Sequence, residues 1–149
     1  MENEKILAVL ASMLRVNWSA HDLHYRAHGE AFYALHLLAD KVDFGTAEDD
    51  LKEAYYLGQS ESLPPTDEEI IDKAVLPVRR VGNTNAELVT ELMNACKDCM
   101  YFIEEAKRIP GLMAGVHAIL DGVSQNLLTV SGLCARTLKN EENGVQNAD

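Results

Sequence analysis

The sequence predicts an all-α protein: four long helices in one bundle, with a long crossover between the second and third that carries a short helix of its own. Three observations lead there. Apolar residues recur at helical spacing through almost the whole chain, and strand-type alternation is nearly absent. Two capping-box signatures, Thr66 to Glu69 and Thr84 to Glu87, mark helix starts in mid-chain. Pro64, Pro65 and Pro77 gather the helix-breaking residues into one region between them.

Composition narrows the function. A chain of 149 residues suits one domain with a real core. The net charge of -11 argues against a nucleic-acid surface, because phosphate binding is carried by Lys and Arg. An acidic shell suits cations instead. No apolar run reaches membrane-spanning length, so no membrane partner is expected. The N-terminal apolar run lacks a basic leader and reads as a helix, which makes the cytoplasm the expected compartment. Cys96, Cys99 and Cys134 are odd in number and form no disulfide framework. Cys96-x-x-Cys99 could be a redox pair or half a zinc site, but it sits on the apolar side of a helical segment, where thiols act as small hydrophobes.

The first helix is expected from about Asn3 to Arg26, with Ile6, Leu10, Met13, Leu14 and Asn17 on one stripe. Continued, that stripe meets His21, His24 and His28, so the apolar face turns imidazole-bearing near its end. The second helix is expected from about Ala31 to Leu57. Leu35, Leu38, Ala39 and Val42 form one stripe, with His36, Asp40 and Asp43 beside it. Gly45 predicts a kink near Phe44-Gly45-Thr46, and Gly58 reads as a C-cap. Residues 59–84 form the crossover, with a short helix from Asp67 to Val75 ended by Pro77. The third helix starts at the Thr84 box and carries Leu88, Leu92, Cys96, Cys99, Ile103 and Ala106 inward. Ile109-Pro110-Gly111 breaks it, and the fourth runs from about Leu112 to Leu138 with Val116, Leu120, Val123, Leu127 and Cys134 inward. Residues 1–138 thus make the bundle and 139–149 a flexible acidic tail. One long crossover between two helix pairs is the connectivity of ferritin-like bundles.

A bundle-centre di-iron site needs Glu-x-x-His on two helices. None of His21, His24, His28, His36 or His117 has a Glu three residues before it. The chemistry concentrates instead in Leu23 to Asp40, LHYRAHGEAFYALHLLAD. His24 and His36 stand twelve apart, Gly29 lies between them, Phe32 opens the second helix, and Asp40 follows His36 by four, on one helical face.

These positions resemble the Dps mini-ferritins without a gap: His24-Tyr25, Gly29, Phe32, His36 and Asp40. The likeness covers most of the chain, with motif-level similarity over residues 23–58. It implies an iron site between two subunits. One subunit supplies His24, His36 and Asp40, and its partner supplies a carboxylate pair spaced by four, best matched by Asp49 and Glu53. The resemblance further implies a homo-oligomer, a dodecamer of tetrahedral symmetry, and a ferroxidase, an oxidoreductase that oxidises ferrous iron with hydrogen peroxide. Two irons per site would pass two electrons to peroxide together, and ferric oxide would collect inside the shell as stored iron.

Departures from the family pattern bear on these expectations. Tyr25 stands where tryptophan is usual, and Glu30 where proline often follows the glycine. Asp49 comes two residues earlier than ungapped spacing would set it, with Glu48 and Asp50 as substitutes. The N-terminus, Met1-Glu2-Asn3-Glu4-Lys5, is acidic, which argues against DNA condensation. A second expectation is a ferritin-like interaction or structural protein whose metal site has degenerated. A third is metal storage or sensing without oxidation, since zinc suits the same ligands. His24, His36 and Asp40 could also form a hydrogen-bonded network at a helix contact. His21 and His28 read as surface histidines, and His117 with Asp121, which repeat the spacing on the fourth helix, as structural.

Overall fold

Ile6, Val9, Leu10, Met13, Val16, Ala20 and Leu23 recur every three or four residues, and all are buried in one helix, α1 (Glu2–Arg26). A computed structural model gives the structure and describes residues 2–74 and 82–147. After α1 come α2 (Phe32–Ala39), α3 (Ala47–Leu51) running directly into a π-helical segment (Lys52–Gln59), α4 (Asp67–Ala74), α5 (Asn85–Lys107) and α6 (Ala114–Asn147). The protein is all-helical among the described residues. None of its described helices is long and apolar enough to cross a membrane.

Contacts between helix ends give the directions. Arg26 donates to the Asn83 side chain at 2.7 Å, so the end of α1 meets the start of α5 and the two run antiparallel. At the opposite end, Tyr56 donates its hydroxyl to the Asn3 carbonyl at 3.2 Å, so the second helical arm returns to the start of α1. Gln59 sits at that end too, bonded to Gly111 and Met113 in the α5–α6 turn. The chain must therefore climb from Ser62 back to Asn83, along a helix roughly 35 Å long at 1.5 Å per residue. The connection with α4 makes that climb, and α4 packs on α1. The short α5–α6 turn makes those helices antiparallel neighbours, and α6 closes the set against α2, α3 and the π-helical segment.

The capping boxes form as the sequence predicts. The Thr84 hydroxyl accepts from the Glu87 N–H at 3.1 Å, and the Glu87 carboxylate accepts from the Thr84 N–H at 3.1 Å. Thr66 and Glu69 repeat the exchange at 3.2 and 3.1 Å. Short helix α4 begins at Asp67, as expected; Val75 and Pro77 lie outside the described residues.

The second arm, expected as one helix over Ala31 to Leu57 with a kink near Phe44-Gly45-Thr46, is broken there and further back, from Asp40 to Thr46. Gly45 takes φ +54°, a left-handed conformation open to glycine. The arm then ends in a π-helix, so Gly58 lies inside helical structure instead of capping it. Burial accounts for the wide turn. Leu51, Tyr55 and Tyr56 are all buried, yet in an α-helix Tyr56 would point about 140° away from Leu51, five residues before it. Bonding to the fifth residue instead of the fourth brings Tyr56 round to the side of Leu51; it is visible where the Ser60 N–H donates to the Tyr55 carbonyl at 2.7 Å. The two rings meet edge-on at 5.1 Å. Burial, then Tyr55 and Glu69, push the Tyr56 phenol up to about 12. At the C-terminus, α6 continues as helix past Leu138, the end expected for the fourth helix, to Asn147.

Cys96, Cys99 and Cys134 are free thiols and wholly buried. They serve the core, as their apolar setting predicts. Burial raises all three: Cys99 and Cys134 to about 12, and Cys96 well above the ordinary thiol range. The folded state thus favours the neutral thiol. Its contribution is full below the ordinary value of 9.0 and is lost as pH rises toward about 12. Across that window each thiol should remove about 1.4 kcal/mol of stability per pH unit. Urea unfolding from about pH 8 to 11 should show a steep alkaline fall, and Cys134→Ala should flatten it; an unchanged slope in the variant would refute the assignment. A second expectation concerns the α5 cap: Thr84→Ala should lower stability by about 1 kcal/mol in the same assay.

Candidate metal centre

His24 is on the last turn of α1 and His36 on the last turn of α2. The turn between them reverses the chain, with Gly29 at φ +75°. Asn85, the first residue of α5, fixes this turn from outside: its side-chain oxygen accepts the His28 N–H at 3.0 Å and its amide donates to the His28 carbonyl at 2.8 Å. Reversal brings α2 back against α1 and sets the His24 and His36 rings face to face, centroids 3.7 Å apart and planes 29° from parallel.

Asp40 is the residue at which α2 stops. Its carboxylate lies 3.1 Å from Nδ1 of His24. Just beyond, Asn126 of α6 grips the broken backbone as Asn85 grips the turn, accepting the Asp43 N–H at 3.0 Å and donating to the Lys41 carbonyl at 2.9 Å.

One ligand atom from each of His24, His36 and Asp40 lies within 4.8 Å of the other two, the sole such group of His, Cys, Asp and Glu among the described residues. The histidines are half-buried and Asp40 is exposed, so the cluster opens to solvent. His36 has a settled orientation. Its Nδ1 is 3.1 Å from the His24 backbone carbonyl, which can only accept, so Nδ1 carries the proton and Nε2 keeps its lone pair for a cation. Two imidazoles and a carboxylate form a mixed nitrogen and oxygen donor set, suited to iron or zinc and short of a full coordination shell. A cation here would leave positions for water or for ligands from elsewhere.

Asp49 and Glu53 are not part of this group. They are exposed on α3 and the π-helical segment, so within one chain the carboxylate pair stays apart from the histidines. Their neighbours are engaged: Glu48 pairs with Lys52 at 3.4 Å, and Asp50 accepts from the Thr46 hydroxyl at 2.8 Å. His21 and His28 are exposed, as expected, with His21 edge-on to Tyr25 at 4.6 Å. Asp121 is drawn to Lys107 at 2.7 Å, which takes it up as an ion pair and leaves no His117–Asp121 centre.

Two aromatic rings flank the ligands. Tyr25 meets His24 edge-on at 4.7 Å, and Phe32 lies 5.3 Å from His36. Tyr25 and Tyr33 are 68% and 69% exposed, and Trp18 and Leu37 are exposed on the same two helices. Trp18 lies two turns before Tyr25 on one side of α1, and Leu37 one turn after Tyr33 on α2. Sequence reasoning overlooked Trp18, whose spacing of three and seven from His21 and Tyr25 was the available signal.

The His24–Asp40 pair is too exposed to hold the fold, since ion pairs of this exposure are worth at most about 1 kcal/mol. Asp40→Ala should therefore shift the thermal midpoint by only a few degrees at most. A collapse of stability would make the group a structural network.

Compared with known proteins, the chain matches no family model and no curated relative.

Proposed function

We propose that this protein is a Dps-like mini-ferritin subunit that binds ferrous iron and oxidises it with hydrogen peroxide. The observation that carries the reading is the convergence of His24, His36 and Asp40 on one solvent-open point. The ferritin-like character of the bundle belongs to the same proposal; the antiparallel α1–α5 pair and the long connection carrying α4 support it.

In this reading three ligands are half a site. Asp49 and Glu53 of a second copy complete it, which makes the protein at least a dimer and, by family resemblance, a dodecamer. The exposed Tyr25 and Phe32 rings beside the ligands support an interface there, because large exposed apolar side chains suit a contact surface. Iron is the substrate. Two ferrous ions give up two electrons, and hydrogen peroxide takes them with two protons to form two waters. His36 offers Nε2 because Nδ1–H is held by the His24 carbonyl, and hard carboxylate oxygen favours the ferric product. The net charge of -11 draws cations toward the assembly.

A second reading has an observation of its own. The break from Asp40 to Thr46 redirects the arm that carries Asp49 and Glu53. If that direction faces away from the neighbouring copy, the site stays half-built and the protein is an interaction module.

Anaerobic ferrous loading followed by one addition of peroxide decides between them. Wild type should develop ferric absorbance well above iron in buffer, and His36→Ala/Asp40→Ala should fall to the buffer rate while remaining folded. Equal rates in the two proteins would refute the ferroxidase.

A further inference from the structure

Helix α2 carries two of the three clustered ligands, yet with eight residues it is too short to hold itself. Its N-cap, Ala31, makes no side-chain cap. The chain on either side is irregular: the turn through Gly29 before it and the break through Gly45 after it. At each flank a side-chain amide from a long helix grips the backbone by both its oxygen and its nitrogen. Asn85 holds His28 from the start of α5. Asn126 holds Lys41 and Asp43 from α6.

We propose that Asn85 and Asn126 are positioning residues for the His24, His36 and Asp40 cluster, setting the place of α2 on the bundle so that its two ligands converge with the third. The inference rests on the metal-binding reading above for its consequence, though the positioning itself is a matter of backbone geometry. Asn126 matters most for Asp40, the residue directly before the gripped Lys41. Asn85 matters most for His36, because the turn it holds leads into α2. Only an amide performs the task, since each clamp needs one acceptor and one donor a fixed distance apart. Aspartate lacks the donor, and leucine, of similar size, lacks both.

Gln59 supplies the control. It makes the same paired bonds, donating to the Gly111 carbonyl at 2.9 Å and accepting the Met113 N–H at 3.0 Å. It does so at the far end of the bundle, where the π-helical segment meets the α5–α6 turn. A merely structural amide clamp should behave alike in all three places.

The test compares full-length wild type with Asn126→Leu, Asn85→Leu and Gln59→Leu by two readouts. The first needs no metal: rings stacked as closely as those of His24 and His36 shift each other's imidazole C–H proton resonances upfield. Asn126→Leu and Asn85→Leu should move those resonances toward the values of an exposed histidine, and Gln59→Leu should leave them in place. The second is titration with Co²⁺, read by its visible spectrum. Removing an orienting partner should weaken binding by about 10- to 100-fold in the two asparagine variants, with an altered band shape, and leave the glutamine variant unchanged. Unmoved resonances in the two asparagine variants, or equal changes in all three variants, would overturn the proposal. A wild type that shows the stacked resonances but binds no Co²⁺ would refute the metal reading, while the resonances alone would still decide whether the amides position the rings. If one asparagine variant fails to fold, the other carries the same comparison.

Discussion

The antiparallel contact of α1 with α5 is the constraint on which the other positions depend. Both helices bury one continuous apolar stripe, from Ile6 to Leu23 and from Leu88 to Ala106. Burial of those two stripes takes apolar surface out of water along the full length of both helices. With these helices set, α6 has one place to lie, since its turn after α5 is short and its own stripe runs from Val116 to Cys134. The remaining space belongs to the second arm, which has to fit what the other three helices leave.

That arm fits by giving up continuity. A single α-helix cannot both aim Leu35, Leu38 and Ala39 at the core and later turn Leu51, Tyr55 and Tyr56 inward. The break through Gly45 resets the phase once, and the π-helical segment resets it again. The break leaves the Lys41 carbonyl and the Asp43 N–H without helical partners, and Asn126 takes up both. Thus polar residues at bundle contacts support the places where the apolar pattern fails. His24, His36 and Asp40 sit beside that break, which ties the candidate metal centre to the least regular part of the fold.

The donor set fits the open end of the bundle. Two half-buried imidazoles stack face to face, with Tyr25 edge-on to His24, while the carboxylate faces water. A cation there would meet nitrogen ligands oriented from behind and vacant positions in front. Exposed Tyr25 and Phe32 beside the ligands suit contact with another apolar surface. In the proposed reading that surface is a second copy, and the same contact that covers the rings delivers the missing carboxylates.

Much of the fold was legible along the chain. Helices α1, α5 and α6 follow from their stripes, and Thr66 and Thr84 announce α4 and α5, because capping and amphipathic spacing are local properties. Histidines 24 and 36 and Asp40 were legible as a group too, since a turn of fixed length between two helices leaves little freedom in how their ends meet. The second arm was not. Gly45 signalled a kink, but no local signal says that Leu51, Tyr55 and Tyr56 must share one buried side; the surrounding helices impose that. Asn85 and Asn126 were equally silent, because an asparagine looks alike in sequence whether it faces water or holds a backbone from fifty or more residues away. The sequence by itself determined the helical class, the crossover and the three candidate ligands, through periodicity and short-range spacing. Only the tertiary structure decided how far the break at Gly45 extends, which polar side chains hold it, and that Asp49 and Glu53 stay apart from the histidines within one chain. Those outcomes depend on contacts between segments that the sequence lists far apart.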